Sequence, residues 1–389
     1  MIIARFTAAT ALLSALLLAA CGGSDFSGPP KTPGTFTALV SFGDSLSDLG
    51  TYTPATSLTG NGAPPYFGGK FTTNSATATI WVENLAKSLG IAVTPAEVGF
   101  NGVSVKCPAA SVASLAASCT GYGQGGARIT DPNGLGHNAD GSGALTVPIV
   151  QQIANHLARF TSFKASDLIL VYAGNNDVFV QFDSFAAVVV QAQTLAAAGT
   201  MTAAQANQAI ATAQAAAEQA MRTAAQELAD DVKTQILAKG GLYVAVMNLS
   251  DIGDTPFGNS LPTSLHAELT ALSQVFNTSL SDDLAGKPVR IVDTYALSKS
   301  AYQNPTANGF VNNTVPACDP AAISAITGGA VTDGTSLFCN STVGAPYYGL
   351  RAGADPLTWQ FADDVHPTTH GHKVISDAFA NQLRLFNWI

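Results

Sequence analysis

Four short, continuously apolar runs limit what this chain can fold into. They lie at residues 36–42, 168–173 ("LILVYA"), 242–247 ("LYVAVM") and 289–292 ("VRIV"). Runs without polar alternation belong to strands buried on both faces, as in a parallel sheet. Helical segments lie between them, at 79–89, 147–160, 203–239 and 265–284. This alternation predicts a doubly wound α/β fold: a three-layer α/β/α sandwich with a central, mostly parallel sheet. The longest helical segment opens on Thr202 and Gln205, which form a capping-box pattern, and stops at Gly240. It is expected to cover the sheet rather than serve as a mobile lid. With 389 residues and 47% hydrophobic composition, one domain spanning 36–389 has enough apolar mass for a sizeable core.

The first 35 residues read differently. Arg5 forms a short basic region, followed by an apolar stretch at 8–20 that is too short to span a bilayer. It ends in Leu18-Ala19-Ala20-Cys21-Gly22, a pattern that resembles the bacterial lipobox. Residues 1–20 are therefore expected to be a lipoprotein signal peptide, with Cys21 lipidated and anchoring the chain to a membrane. Gly22 in place of Asp resembles outer-membrane sorting, so the expected location is the cell envelope, at the outer membrane. Residues 21–35, rich in Pro, Gly and Ser, are expected to be a flexible tether. Charged residues make up only 11% of the chain, net charge is −9 and Lys and Arg form no cluster, which argues against a nucleic-acid partner.

Four further cysteines remain: Cys107, Cys119, Cys318 and Cys339. An even number in an exported chain points to disulfides. Three pairings are formally possible. The local ones, Cys107 with Cys119 and Cys318 with Cys339, are expected because each closes a Gly/Ser/Thr-rich loop. The second pair lies in a long Gly/Asn/Thr/Pro-rich segment, 301–361. Loops of that length tend to be functional.

Chemistry is concentrated in four short stretches. In "LVSFGDSLSDLG" the first apolar run ends in Gly43-Asp44-Ser45, and Asp48 follows Ser45 by three residues. Ser45 suits a helix cap, and it equally suits a nucleophile at a helix mouth. "GYGQGGARI" carries Gly125-Gly126, where backbone N–H groups can approach a ligand closely. "VYAGNNDVF" places Asn176 on a loop at the C-terminal end of a strand, where ligands of open α/β sheets bind. In "FADDVHPTTHGH" Asp363 and His366 have a D-x-x-H spacing, which lets a carboxylate orient an imidazole. Asp364 fits that spacing less well. His370 and His372 offer a metal cluster as the alternative, but no distant Cys/His set completes it.

Together these stretches resemble the GDSL or SGNH hydrolase family, whose blocks follow in this order. The resemblance runs from Phe36 to the end and includes "GGKFTTN", "WVENLA" and "NLSDIGDTP", which are similar to its lipase/esterase branch. Gly121 stands where many relatives have Asn, and Gly123 where they have Ala. The resemblance implies a flavodoxin-like fold and a serine-dependent carboxylic ester hydrolase. Ser45 would be the nucleophile, His366 the base and Asp363 its orienting acid. The oxyanion hole would comprise Ser45, Gly126 and Asn176, while Asp44 would brace the loop. No cofactor and no metal is implied, and the partner is an ester substrate, a lipid or another acylated molecule.

Two other reactions fit the same residues, carbohydrate O-acetyl ester hydrolysis and acyl transfer. From a different class comes a non-catalytic surface lipoprotein that binds lipid or a partner. After the last block only a short helix follows, so an autotransporter passenger is not expected.

Overall fold

The structure, a computed structural model, describes residues 28–57 and 68–389. The expected signal peptide (1–20) and Cys21 lie outside the described residues. Strands β1 (Ala38–Gly43), β2 (Thr94–Pro95), β3 (Glu97–Phe100), β4 (Val103–Lys106), β5 (Cys119–Gly121), β6 (Asp167–Tyr172), β7 (Tyr243–Met247) and β8 (Arg290–Val292) form two sheets. The main sheet has the order β2-β5-β1-β6-β7-β8 and every pairing in it is parallel; β3 and β4 form a separate antiparallel hairpin. β1 and β6 run in full register, from Ala38 opposite Asp167 to Gly43 opposite Tyr172. All six residues of β6 and all five of β7 are buried, as strands covered on both faces require.

The helices are α1 (Thr53–Thr56), α2 (Trp81–Ser88), α3 (Ile149–Phe160), α4 (Asn175–Ala197), α5 (Ala203–Asp231), α6 (Pro256–Ser260), α7 (Thr263–Asp283), α8 (Thr294–Gln303), α9 (Pro320–Ile326) and α10 (Thr369–Leu385). On one face α10 packs against α2, with the rings of Trp81 and Phe379 5.2 Å apart. α3, α5 and α7 cover the other face, the arrangement that right-handed crossovers give. The fold is thus the expected α/β/α sandwich. α5 buries Met221, Ala225, Leu228 and Ala229 in the main core, so it is a covering helix. Its capping box forms as expected, and the chain turns away at Gly240, whose φ is +93°.

Four features differ from the sequence reading. α4 was not anticipated, although Phe182, Phe185, Val189 and Ala192 recur on one buried helical face. Strands β2 and β5, on one side of β1, are too short to leave an apolar run. The 301–361 segment is ordered by α9, two tight turns and a small apolar cluster of Cys318, Ile323, Cys339 and Ala362. Lastly, the tether ends before residue 35. Pro30 O accepts from Trp388 Nε1 at 2.7 Å, Lys31 O accepts from Asn387 Nδ2 at 2.6 Å, and Gly34 N donates to Trp388 O at 2.9 Å. The buried Trp388 side chain pins this strap to the C-terminus.

Both disulfides form in the expected local pairing, with Cα separations of 5.3 Å for Cys107–Cys119 and 6.0 Å for Cys318–Cys339.

Candidate active site

β1 ends at Gly43, where a Cβ would lie 2.5 Å from Tyr172 O, so only glycine permits this approach to β6. Gln152 of α3 grips the same residue: its Oε1 accepts from Gly43 N at 3.0 Å and its Nε2 donates to Gly43 O at 2.8 Å. The chain then enters a single tight turn, Ser45–Ser47. Asp44, not Ser45, caps it, accepting from Leu46 N at 3.1 Å. The expectation of Ser45 as a cap with Asp48 as its capping-box partner is corrected here. Only this short turn, and no α-helix, starts at Ser45, so the helix mouth expected there does not form. Asp48 instead accepts from Gly50 N (2.9 Å), Thr51 N (2.7 Å) and Gly125 N (2.8 Å). Asp44 braces the loop, as anticipated, by accepting from Asn175 Nδ2 at 2.9 Å. Burial raises its pKa, and the Asn175 bond partly offsets the rise.

The C-terminal block delivers the imidazole. His366 Nδ1–H faces both Asp363 carboxylate oxygens at 2.9 Å, and its Nε2 lies 2.8 Å from Ser45 Oγ, which donates to it in that tautomer. Asp363 also accepts from the backbone N–H of Val365, His366 and Ser336, at 3.1, 2.7 and 2.8 Å. Burial would raise the Asp363 pKa. The His366 charge and the bonds from His366 and Ser336 outweigh it and hold the carboxyl well below the usual carboxylate range. The Phe71 ring lies 4.7 Å from the imidazole.

Asp364 takes no part in this pairing; its backbone carbonyl accepts from Phe257 N at 2.9 Å. His370 and His372 have separate structural partners. His370 Nε2 bonds Asn308 O at 3.0 Å. His372 lies between Trp81 N (3.3 Å) and Phe71 O (3.1 Å), and burial pushes its pKa down to about 3, so it stays neutral. Pro367 stands just ahead of α10, which Thr368 caps. No group of three or more His, Cys, Asp or Glu among the described residues could hold a metal ion.

Asn176 stands in the first turn of α4 rather than on a loop. Its Nδ2 donates one hydrogen to Ala127 O at 2.8 Å, and the second has no partner among the described residues. Its neighbour Asp177 accepts from Ile129 N (3.1 Å) and Arg128 Nε (3.0 Å). The Gly125–Ile129 loop is therefore held from both sides, by Asp48 and by α4. Gly126 has φ +78°, and a Cβ there would lie 2.1 Å from Leu135 O. The backbone N–H groups of Ser45 and Gly126 donate to no group among the described residues.

Ser45, Gly126, Asn176 and His366 line one cavity of about 1000 Å³ at the C-terminal ends of the strands. That is the top of the range for ligand sites, roughly 300–1,000 Å³. It lies between β1 and β6, whose onward connections run in opposite directions, the switch point of a doubly wound sheet. Sequence reasoning had singled out Ser45, Gly126, Asn176, Asp363 and His366. It missed Gln152, Asn175 and Ser336 as supports, since their roles depend on contacts distant in sequence, and it misread Asp48.

Residues 39–379 match the family model described as GDSL-like Lipase/Acylhydrolase. No curated protein sequence matches the chain. Among solved structures it is similar to the extracellular lipase of Streptomyces rimosus, with 13% identity and a TM-score of 0.38, over 89% of this chain and 99% of that one. The chain belongs to the GDSL-like lipase/acylhydrolase family and is a carboxylic ester hydrolase.

Proposed function

We propose that the protein hydrolyses esters of extended acyl chains, with Ser45 as nucleophile. Ser45 Oγ attacks the ester carbonyl carbon while His366 Nε2 takes its proton, and Asp363 holds the imidazole in the required tautomer. The negative oxygen receives hydrogen bonds from the Ser45 N–H, the Gly126 N–H and the free Asn176 amide hydrogen. Collapse expels the alcohol, which takes the proton from His366. Water, deprotonated by the same imidazole, then resolves the acyl-enzyme.

The observation that carries this reading is the 2.8 Å separation of His366 Nε2 and Ser45 Oγ beside a large, mainly apolar cavity. Leu46, Phe71, Phe179, Ile252, Phe310 and Ile375 line it. An acetyl group would leave most of that surface uncovered, whereas an acyl chain gains about 0.8 kcal/mol per buried methylene. A panel of p-nitrophenyl esters tests this. Turnover efficiency is expected to rise from acetyl to chains of about eight carbons or more; a sharp acetyl preference overturns it. A lipid anchor at Cys21 would hold the enzyme at the cell envelope, a reading supported by the Leu18-Ala19-Ala20-Cys21 run. Fatty-acid labelling that persists in Cys21→Ser would overturn that part.

A further inference from the structure

The donor assigned to Gly126 belongs to an unusually free peptide. The N–H of Gly126 and the C=O of Gly125 are parts of one planar trans unit and point to opposite edges. Flipping that unit rotates ψ of Gly125 and φ of Gly126, and glycine tolerates either setting. A flip would turn the Gly125 carbonyl oxygen to the side where the oxyanion forms, replacing a donor with a repelling acceptor. Something must hold the orientation.

The group in place is the hydroxyl of Tyr52, which donates to Gly125 O at 2.5 Å. The same hydroxyl accepts from Thr146 N at 3.4 Å. Tyr52 is 2% exposed, and its ring meets those of Phe71 and Phe100 edge-on at 6.3 and 6.2 Å. The peptide before it is held as well, since Gly125 N donates to Asp48 at 2.8 Å. Burial, aided by the Asp48 carboxylate, raises the phenol pKa far above its usual value, so Tyr52 remains a donor throughout the working pH range.

We propose that Tyr52 is a positioning residue for the oxyanion hole: by binding Gly125 O, its hydroxyl fixes the Gly125–Gly126 peptide with the Gly126 N–H free to receive the oxyanion. This rests on the reading of Ser45 as nucleophile and Gly126 as donor. Tyr52 touches neither reacting atom; it acts through the peptide.

The test compares wild type, Tyr52→Phe and Asp48→Asn, with rates taken per active site titrated by a fluorophosphonate. Tyr52→Phe is expected to lower kcat by roughly 10–100-fold with KM within about threefold. That is less than the roughly 10²–10³-fold typical of losing a donor outright, because some peptides stay correctly oriented. Affinity for a boronic-acid transition-state analogue should fall in parallel with kcat/KM, a match that loss of folding would not produce. Asp48→Asn turns an acceptor into a donor toward either Gly125 N or the Gly50 and Thr51 N–H pair. It should show the same kcat-weighted loss, and the double variant should lose less than the product of the two.

If Ser45 takes no label in wild type, the reading of Ser45 as nucleophile and this proposal fall together. If Ser45 is labelled but Tyr52→Phe turns over within threefold of wild type, or loses only in KM, the positioning role alone falls. Should Tyr52→Phe not fold, Asp48→Asn decides by the same criteria.

Discussion

The backbone N–H of Ser336 donates to Asp363 Oδ2 at 2.8 Å, and Ser336 lies inside the loop that the Cys318–Cys339 disulfide closes. Asn74 holds the same loop, with its Nδ2 donating to Ser336 O at 2.8 Å. The disulfide therefore bears on orientation of the acid as well as on stability. Replacing Cys318 and Cys339 with Ala should cost about 2–4 kcal/mol of stability. It should also lower kcat by roughly tenfold below the melting range, through misplacement of Asp363. Replacing Cys107 and Cys119 should lower stability alone. Denaturant melts and kcat per titrated site, measured on both variants, separate the two outcomes.

Ser45→Ala should lower ester turnover by roughly 10³-fold or more. Asp363→Asn keeps the shape but loses the acceptor for Nδ1–H, and should cost roughly 10²–10⁴-fold. Full progress curves on an aryl ester check both. Turnover persisting in Ser45→Ala would place the nucleophile elsewhere.

Asn176 and Asn175 are adjacent but do different work. On the proposed mechanism, Asn176→Ala removes a donor to the oxyanion and should lower kcat by roughly 10²–10³-fold with little change in KM. Asn175→Ala removes only the bond to Asp44. Its cost should appear mainly in thermal stability, at about 1–3 kcal/mol for a buried acceptor left unpaired. Side-by-side kinetics and melts distinguish them.

Asp231 provides a pH signature. It is buried near the end of α5, where burial first, and then the Glu227 and Asp230 charges, push its pKa up to about 6, against the bond from Gln235 Nε2. The folded state thus holds this proton more tightly than the unfolded chain. The resulting stability is full below about pH 4 and is lost as pH rises through about 6. Asp231→Asn should raise stability at pH 7, by on the order of 1 kcal/mol, and leave it unchanged near pH 4. Urea melts at the two pH values test this; equal gains at both would refute the burial argument.

Much of the site was legible because its chemistry is locally written. Asp363 and His366 are three residues apart, and a turn of that length is enough to bring carboxylate and imidazole within reach of each other. Gly43-Asp44-Ser45 follows an apolar run, so its place at a strand end is a local matter. Ser45 as a helix cap was misread for a related reason: the Ser-x-x-Asp pattern is real, but the buried Asp48 found better partners in Gly50, Thr51 and the distant Gly125. α4 was missed because the GNND stretch reads as a turn. Its Asn175-Asn176-Asp177 side chains in fact bond neighbouring loops while the backbone turns helical.

Taken alone, the residues determine the buried parallel strands, most of the helices between them and the candidate nucleophile, acid and base, and they favour the two local disulfides. Periodicity, apolar runs and short spacings depend on near neighbours and survive in one dimension. Packing determined which distant groups meet: Ser45 with His366 across 321 residues, Ser336 with Asp363, Tyr52 with Gly125. Those contacts exist because the strand order and the closure of long loops bring remote segments to the C-terminal ends of the strands. No local preference encodes such a distance.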